Sequence, residues 1–499
     1  MPGPARSLLA RASPLVLARI VSALATFAIP LVLVRTFCPA EYGTYKQLIL
    51  ASQTLYYLLP FGAAQSLYYF VPRAAEGGSA RPYLVQALSF LALAGLAAAG
   101  LLLALGPQLA HWLNNPALAP RVPLLAAYTA ALIAASPLET AWTARGRTGV
   151  AAAFYLGSDV LKAVAMVVPA LVGRGLEGVL WGLCAFAALR AAATWVCHVR
   201  GAGPAFDRAA LRVQLAYALP IGASVALLVP QQALHPYLVS AGVDAATFAL
   251  YAVGTFQVPV FDMLYAPTSE LLMVRLAELE REGRSAEGAA VFREAVHKLA
   301  LFFVPAVVFL IAFAPEIVSA LFTARYLPAV PAFRVSALGG LLACLPLDGA
   351  LRARGQTRHL FVASLVKTGA TVPLALWGVA RFGMMGGVGS WLAAELIGRG
   401  MLALRVPAAL GEKAYRLLPW AALARAAAVS GLACLGTFAV RASVTEIPHA
   451  LLRLSGLAAV FGVLIVAGLV ALGEAKIPRP NPAPVAQPTG LAGQRRIGG

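Results

Sequence analysis

Charged and amide side chains that stand inside apolar runs are the residues of this chain whose types and spacing can do chemistry. Arg19 and Lys46 each interrupt a run long enough to cross a bilayer. A charge there is costly, so such a group faces a cavity or a partner, or snorkels to an interface. In a cavity, the two would give charge-assisted hydrogen bonds to phosphate oxygens. Further along, Gln231, Gln232 and His235 share one run, and Tyr251, Gln257 and Asp262 the next. Amides and phenols suit a polar sugar in a wet cavity, and serve equally as hydrogen bonds between helices. Asp262 or His235 is also the candidate carrier of a coupling ion, H+ or Na+, because desolvation moves a carboxylate's pKa up and histidine titrates near neutrality.

Other charges come in pairs. Glu139 precedes Arg145, and Asp348 precedes Arg352, each at the end of an apolar run, which predicts gate or anchor salt bridges. Asp159 with Lys162 and Glu395 with Arg399 are spaced to share one helix face, and read as self-neutralised structural pairs. Lys367 and Arg334 have no such neighbour. The five cysteines, Cys38, Cys184, Cys197, Cys344 and Cys434, lack metal-ligand spacing, so neither a disulfide framework, a metal nor another cofactor is expected. No loop offers paired carboxylates or a nucleophile with its base; the longest outer loop, about residues 107–120, carries only His111. The reading is a protein that moves something rather than an enzyme.

The elements that position these residues are membrane helices. Hydrophobic residues make up 60% of 499 positions, only 12% are charged and mean hydropathy is +0.79, far from a soluble domain. Apolar windows predict fourteen spans: 14–35, 44–70, 83–106, 121–142, 150–172, 177–198, 214–240, 247–271, 297–321, 329–351, 359–380, 384–404, 418–440 and 449–472. The first lacks a small-residue cleavage site and reads as a retained helix. The net charge of +19 is topological and does not signal nucleic acid. Most Lys and Arg fall in the tails and even-numbered loops, which predicts both termini in the cytoplasm, where some arginines also meet anionic lipid heads.

The chain repeats itself. Residues 137–148 read PLETAWTARGRT and residues 346–357 read PLDGALRARGQT, an offset of 209. Pro30 matches Pro236 and Tyr42–Tyr45 matches Phe248–Tyr251 at 206, while Gly175 and Gly178 match Gly383 and Gly386 at 208. The period holds six spans, an even number, so the copies enter the membrane in the same direction as a parallel repeat. The expected domains are a six-helix lobe at 1–200, a second at 201–410, two further helices at 411–472 and a disordered cytoplasmic tail at 473–499. Residues 275–298 alternate charges with Leu279, Val291 and Phe292, and read as an amphipathic cytoplasmic linker along the membrane. A substrate cavity is expected between the lobes.

The segments that carry the repeat also resemble a known family. Leu33–Arg35 running into Pro39–Tyr45, Phe61–Gly62 with Leu67–Phe70, Pro220–Gly222, Phe248–Tyr251, Leu321–Phe322 with Tyr326, Ala353–Thr357 and Phe382–Gly387 together resemble the Wzx-like oligosaccharide flippases of the MOP superfamily. The resemblance covers about residues 10–410. It implies a flippase that carries a polyprenyl-diphosphate-linked glycan across the bacterial inner membrane by alternating access, working beside polysaccharide polymerase machinery. It also implies that the first, second, seventh and eighth spans wall the cavity, with Arg19 and Lys46 on the diphosphate. An aspartate common in the family's seventh span is absent from Pro230–Pro236, leaving His235 or Asp262 to substitute. The alternatives are a MATE-like multidrug or cation antiporter and, further off, a membrane polysaccharide polymerase or ligase.

Overall fold

The computed structural model describes residues 27–77, 79–199, 206–256, 258, 260–445 and 449–473. Among these there are helices and turns and no strand. The first lobe comprises α1 (Phe27–Thr36), α2 (Pro39–Leu58), α3 (Ala63–Gly77), α4 (Arg81–Trp112), α5 (Val122–Ala134), α6 (Leu138–Ala144), α7 (Thr148–Leu171) and α8 (Gly175–His198). The second comprises α9 (Arg208–Gly242), α10 (Ala245–Gly254), α11 (Val260–Arg281), α12 (Gly288–Ala312), α13 (Ala314–Phe322), α14 (Val330–Leu342), α15 (Leu347–Ala353) and α16 (Thr357–Leu410). Two further helices follow, α17 (Trp420–Thr445) and α18 (Ala450–Ala471). Ten helices among the described residues are long and apolar enough to cross a membrane. The protein is a polytopic helical membrane protein built as two parallel six-span lobes plus two C-terminal helices.

Several expected spans are broken, each for a local reason. The second is divided between α2 and α3, where Pro60 is followed by Phe61 and Gly62, both at positive φ. The eighth is divided between α10 and α11 after Gly254. The eleventh and twelfth are the two arms of α16, folded back at Gly383, whose φ of 54° favours a residue without a Cβ. Ser390 Oγ donates to the Leu374 carbonyl at 2.7 Å and ties the arms together.

The linker expected over residues 275–298 is instead the ends of α11 and α12, joined by a short turn in which Arg284 pairs with Glu282 and Glu287 at 3.0 and 2.7 Å. Its apolar residues Leu276, Phe292 and Val296 are buried against Leu351 and Val406, so they pack on protein. The amphipathic pattern was real; its partner is the second lobe.

The lobes touch at both ends. At one, α2 lies on α10 so closely that a Cβ at Gly43 would meet the Ala245 carbonyl oxygen at 1.8 Å. Arg35 donates there to the Leu321 and Ala320 carbonyls at 2.8 and 2.6 Å, and Tyr42 meets the edge of Tyr326. At the other, Tyr69 stacks on Tyr217 with centroids 4.6 Å apart, and Gln214 Nε2 donates to Ser66 Oγ at 3.0 Å. The largest buried apolar cluster runs through α2, α4, α5 and α8 and continues across the α2–α10 contact into α10, α13 and α14.

Candidate substrate cavity

Within the first lobe α2, α3, α5, α6, α7 and α8 enclose a cavity of about 990 Å³. Its charged lining is Lys46 from α2, Glu139 from α6, Asp159 and Lys162 from α7 and Arg190 from α8. Around them stand Ser52, Gln53, Thr140, Thr143 and Thr148. The volume lies at the upper end of ordinary ligand pockets. This cavity sits inside one lobe and takes Lys46 from the second of the four spans expected to wall a chamber.

Glu139 is the hub of this site. Arg190 Nη2 donates to its Oε2 at 2.6 Å and Ser158 Oγ to its Oε1 at 3.3 Å. The sequence paired Glu139 with Arg145, and the structure does not. Arg145 lies past the end of α6, where its Nη1 donates to His198 Nδ1 at 2.9 Å and its guanidinium lies over Trp142. Burial, followed by the neighbouring Arg147, holds the Arg145 pKa below the usual arginine value. The reason for the switch is geometric: α6 is only seven residues long, and Arg145 forms its C-cap, turned towards the end of α8.

The second lobe holds a smaller cavity of about 260 Å³, lined by Gln231, Tyr265, Asp348, Lys367, Glu395 and Arg399 among others. Here Asp348 does pair with Arg352, as expected, and also accepts from Tyr265 and from Ser269 Oγ, the latter at 3.0 Å. Glu395 pairs with Arg399 at 2.8 Å, also as expected. Lys367, which the sequence left without a neighbour, pairs with the same Glu395. Arg334 donates to the Ile311 carbonyl at 3.0 Å.

The two cavities are built on one plan. Tyr56, Glu139, Ser158 and Arg190 stand 209 residues before Tyr265, Asp348, Lys367 and Arg399, the offset of the repeated phrase. Sequence reading missed Arg190 and Tyr56, although that shared offset would have found both. The copies differ at one decisive place: Lys367 reaches Glu395 in the second lobe, where Ser158 and, again 209 earlier, Phe186 stand in the first.

Of the other residues singled out, Lys46 lines the larger cavity, with its ammonium 5.5 Å from the Tyr42 ring centroid. Gln231 lines the smaller one. His235 and Tyr251 are buried and join helices: Tyr251 hydroxyl bonds His235 Nδ1 at 2.6 Å, and Nε2 donates to the Gly387 carbonyl at 2.6 Å. Neither lines either cavity. Gln232 and Asp262 are exposed and lie outside both linings. Arg19, Gln257 and the tail beyond residue 473 lie outside the described residues.

A duplicated helical bundle enclosing a polar chamber within its membrane-spanning part has the build of a transporter. Its backbone matches a lipid II flippase, MurJ, in an inward closed conformation, with a TM-score of 0.69 at 14% identity over 91% of this chain and 99% of that one. It also matches a multidrug resistance MATE transporter of the MOP superfamily, inward-facing, with a TM-score of 0.60 at 15% identity over 78% and 95% of the two chains. An outward-facing MATE transporter matches at 0.52 with 14% identity over 81% and 96%. No curated protein is significantly similar in sequence. Residues 32–331 match the model of a family described as polysaccharide biosynthesis protein, and the chain belongs to that family.

Proposed function

We propose that this protein is a flippase for a polyprenyl-diphosphate-linked oligosaccharide, a repeat unit of a surface polysaccharide of the O-antigen type, which it carries across the bacterial inner membrane by alternating access of its two lobes. The observation that carries the reading is the first-lobe cavity: charges of both signs, hydroxyls and an amide gathered inside a membrane bundle, on a family devoted to polysaccharide biosynthesis. A polar headgroup crossing a bilayer needs such a lining, because nothing in the hydrocarbon satisfies its hydrogen bonds. Lys46 and Arg19 are assigned to the anionic end of the headgroup. Gln231, Gln232, Tyr251 and Gln257 are kept as contacts for states in which the lobes have parted. A proton or sodium ion, taken by Asp262 or His235, is the coupling ion of this reading, and polymerase machinery its downstream partner. Glu139 and Asp348 serve as anchors rather than ligands, with Arg352 holding Asp348. The protein moves its substrate and makes or breaks no bond in it.

A second reading, a multidrug or cation antiporter, is favoured by one observation: two carboxylates, Glu139 and Asp159, line the same cavity. Against it, Glu139 is already neutralised by Arg190. Deletion of the gene followed by extraction of polyprenyl-linked glycans separates the two. Accumulation of one complete repeat unit on the cytoplasmic face supports the flippase and names its cargo. An unchanged lipid pool with altered drug tolerance supports the antiporter and sinks the flippase.

A further inference from the structure

We propose that the first-lobe cavity is a carbohydrate subsite, in which a pyranose ring of the carried headgroup lies against tyrosine faces while the surrounding hydroxyls and charges hold its own hydroxyls. The proposal deepens the flippase reading and rests on it for the identity of the cargo.

The lining carries six tyrosines, Tyr45, Tyr56, Tyr57, Tyr68, Tyr128 and Tyr155, out of 15 in the whole chain. They are of two kinds. Tyr45 and Tyr128 are buried and form wall, whereas Tyr57, Tyr68 and Tyr155 are 50%, 51% and 62% exposed, so their rings stand open. Tyr57 is braced edge-on by Tyr56 at 5.5 Å between centroids. An aromatic face carries the negative part of the ring quadrupole, and the polarised C–H face of a pyranose is its complement. A phenol adds a hydroxyl at the rim of each platform.

The charges argue for the sugar over the diphosphate. Lys46, Lys162 and Arg190 are offset by Glu139 and Asp159 on the same walls. A diphosphate seated among them would meet two carboxylates as well as three cations, and like charges held close are repulsive. Sugar hydroxyls both donate and accept, so they are satisfied by either sign and by Ser52, Gln53 and Thr140 beside them. Lys46, on α2, remains the place where the anionic end of the headgroup would begin.

The repeat supplies an internal control. Tyr56 is retained at the matching position, Tyr265, and belongs to the shared framework. Tyr57 and Tyr155 match Ala266 and Ser364 at the same offset of 209, so the open platforms belong to the first copy alone. In the second copy the equivalent space has shrunk to about 260 Å³ around the Lys367–Glu395 pair. A need common to both lobes, such as folding or helix packing, would have kept the aromatics in both.

The test is ligand-observed saturation-transfer NMR on the full chain in lipid nanodiscs, with a panel of neutral, amino and acidic hexoses and with polyprenyl diphosphate lacking sugar. The expected result is saturation of hexose ring C–H protons for at least one sugar. The signal should fall about tenfold in Tyr57→Leu/Tyr155→Leu and survive in Tyr57→Phe/Tyr155→Phe, which keeps the ring faces and guards against loss through misfolding. No hexose signal with the wild type, or a signal undiminished in the leucine variant, overturns the subsite. So does tyrosine-dependent binding of polyprenyl diphosphate without any hexose binding. Tyrosine-dependent hexose binding in a protein whose deletion leaves the lipid-linked pool unchanged would instead sink the flippase reading and leave the subsite standing.

Discussion

Glu139 and Arg190 form a pair whose side chains are only 9% and 18% exposed. Removing one member of a buried pair leaves the other charge uncompensated, at a cost of about 3–5 kcal/mol. Arg190→Ala should therefore lower thermal stability and membrane protein level sharply, and adding Glu139→Gln should recover much of the loss; the midpoint of unfolding in detergent for both variants checks this. Lys46 belongs to a different class, because its ammonium has a ring face nearby and, among the described residues, no carboxylate bonded to it. Lys46→Gln should abolish export in a complementation assay while protein level stays within about twofold of wild type, since exchanging a partly exposed cation for an amide disturbs packing little; wild-type export would remove Lys46 from the substrate path. Lys46 was legible in the sequence because a lone charge inside an apolar run has few explanations. Arg190 was passed over, because its partner lies 51 residues away on another helix and only the offset of 209 to Arg399 marks it. The tyrosine platforms were equally hidden: aromatic residues near membrane interfaces are common, and only the fold distinguishes a ring facing lipid from one facing a chamber.

Among the helices, α2 and α10 set the relation between lobes, and Gly43 sets how closely they approach. Small residues are what allow such approach where no hydrophobic gain drives it. Ser240 of α9, fully buried, accepts from Gln47 Nε2 at 2.7 Å across the adjoining contact of α2 with α9. In a cysteine-free background, Ser240→Cys should resist maleimide, and the further change Gly43→Val should make it react by forcing α2 off α10. Unchanged protection would show that the junction tolerates the extra carbons. Element existence was largely readable from apolar runs, as α4, α7, α8, α12 and α18 show. Breaks were not: Pro60 marked the division of α2 from α3 only in hindsight, since proline within membrane helices is tolerated. The segment 275–298 was misplaced for a related reason, because an amphipathic stripe reports a half-buried face and is silent on whether lipid or protein covers it.

For the whole molecule, duplication and asymmetry together define what the fold can do. Two lobes of one design differ in that the second has its cavity filled by Lys367, Glu395 and Arg399 while the first keeps about 990 Å³ open. The repeated phrase made the duplication legible; the asymmetry stayed hidden because it rests on which side chains meet across helices far apart in sequence. The charge of the turns predicts an orientation in the membrane. The turns at Arg145–Arg147, Arg281–Arg284, Arg352–Arg354 and Lys413–Arg416 are rich in arginine and lysine, whereas Asn114–Asn115 and Val243–Asp244 carry no cation. Basic loops stay in the cytoplasm, and short ones near span ends set the direction. Fluorescent-protein fusions after Gly146, Gly283 and Gly411 should therefore fluoresce, and alkaline phosphatase fusions after Asn114 and Val243 should be active. Because the repeat is parallel, the two lobes must agree: fusions after Gly146 and Gly355, at matching places in the two copies, should report the same side. Opposite sides for those two would break the parallel repeat itself, whereas the reverse pattern at all sites would keep the repeat and invert the membrane orientation assigned from charge.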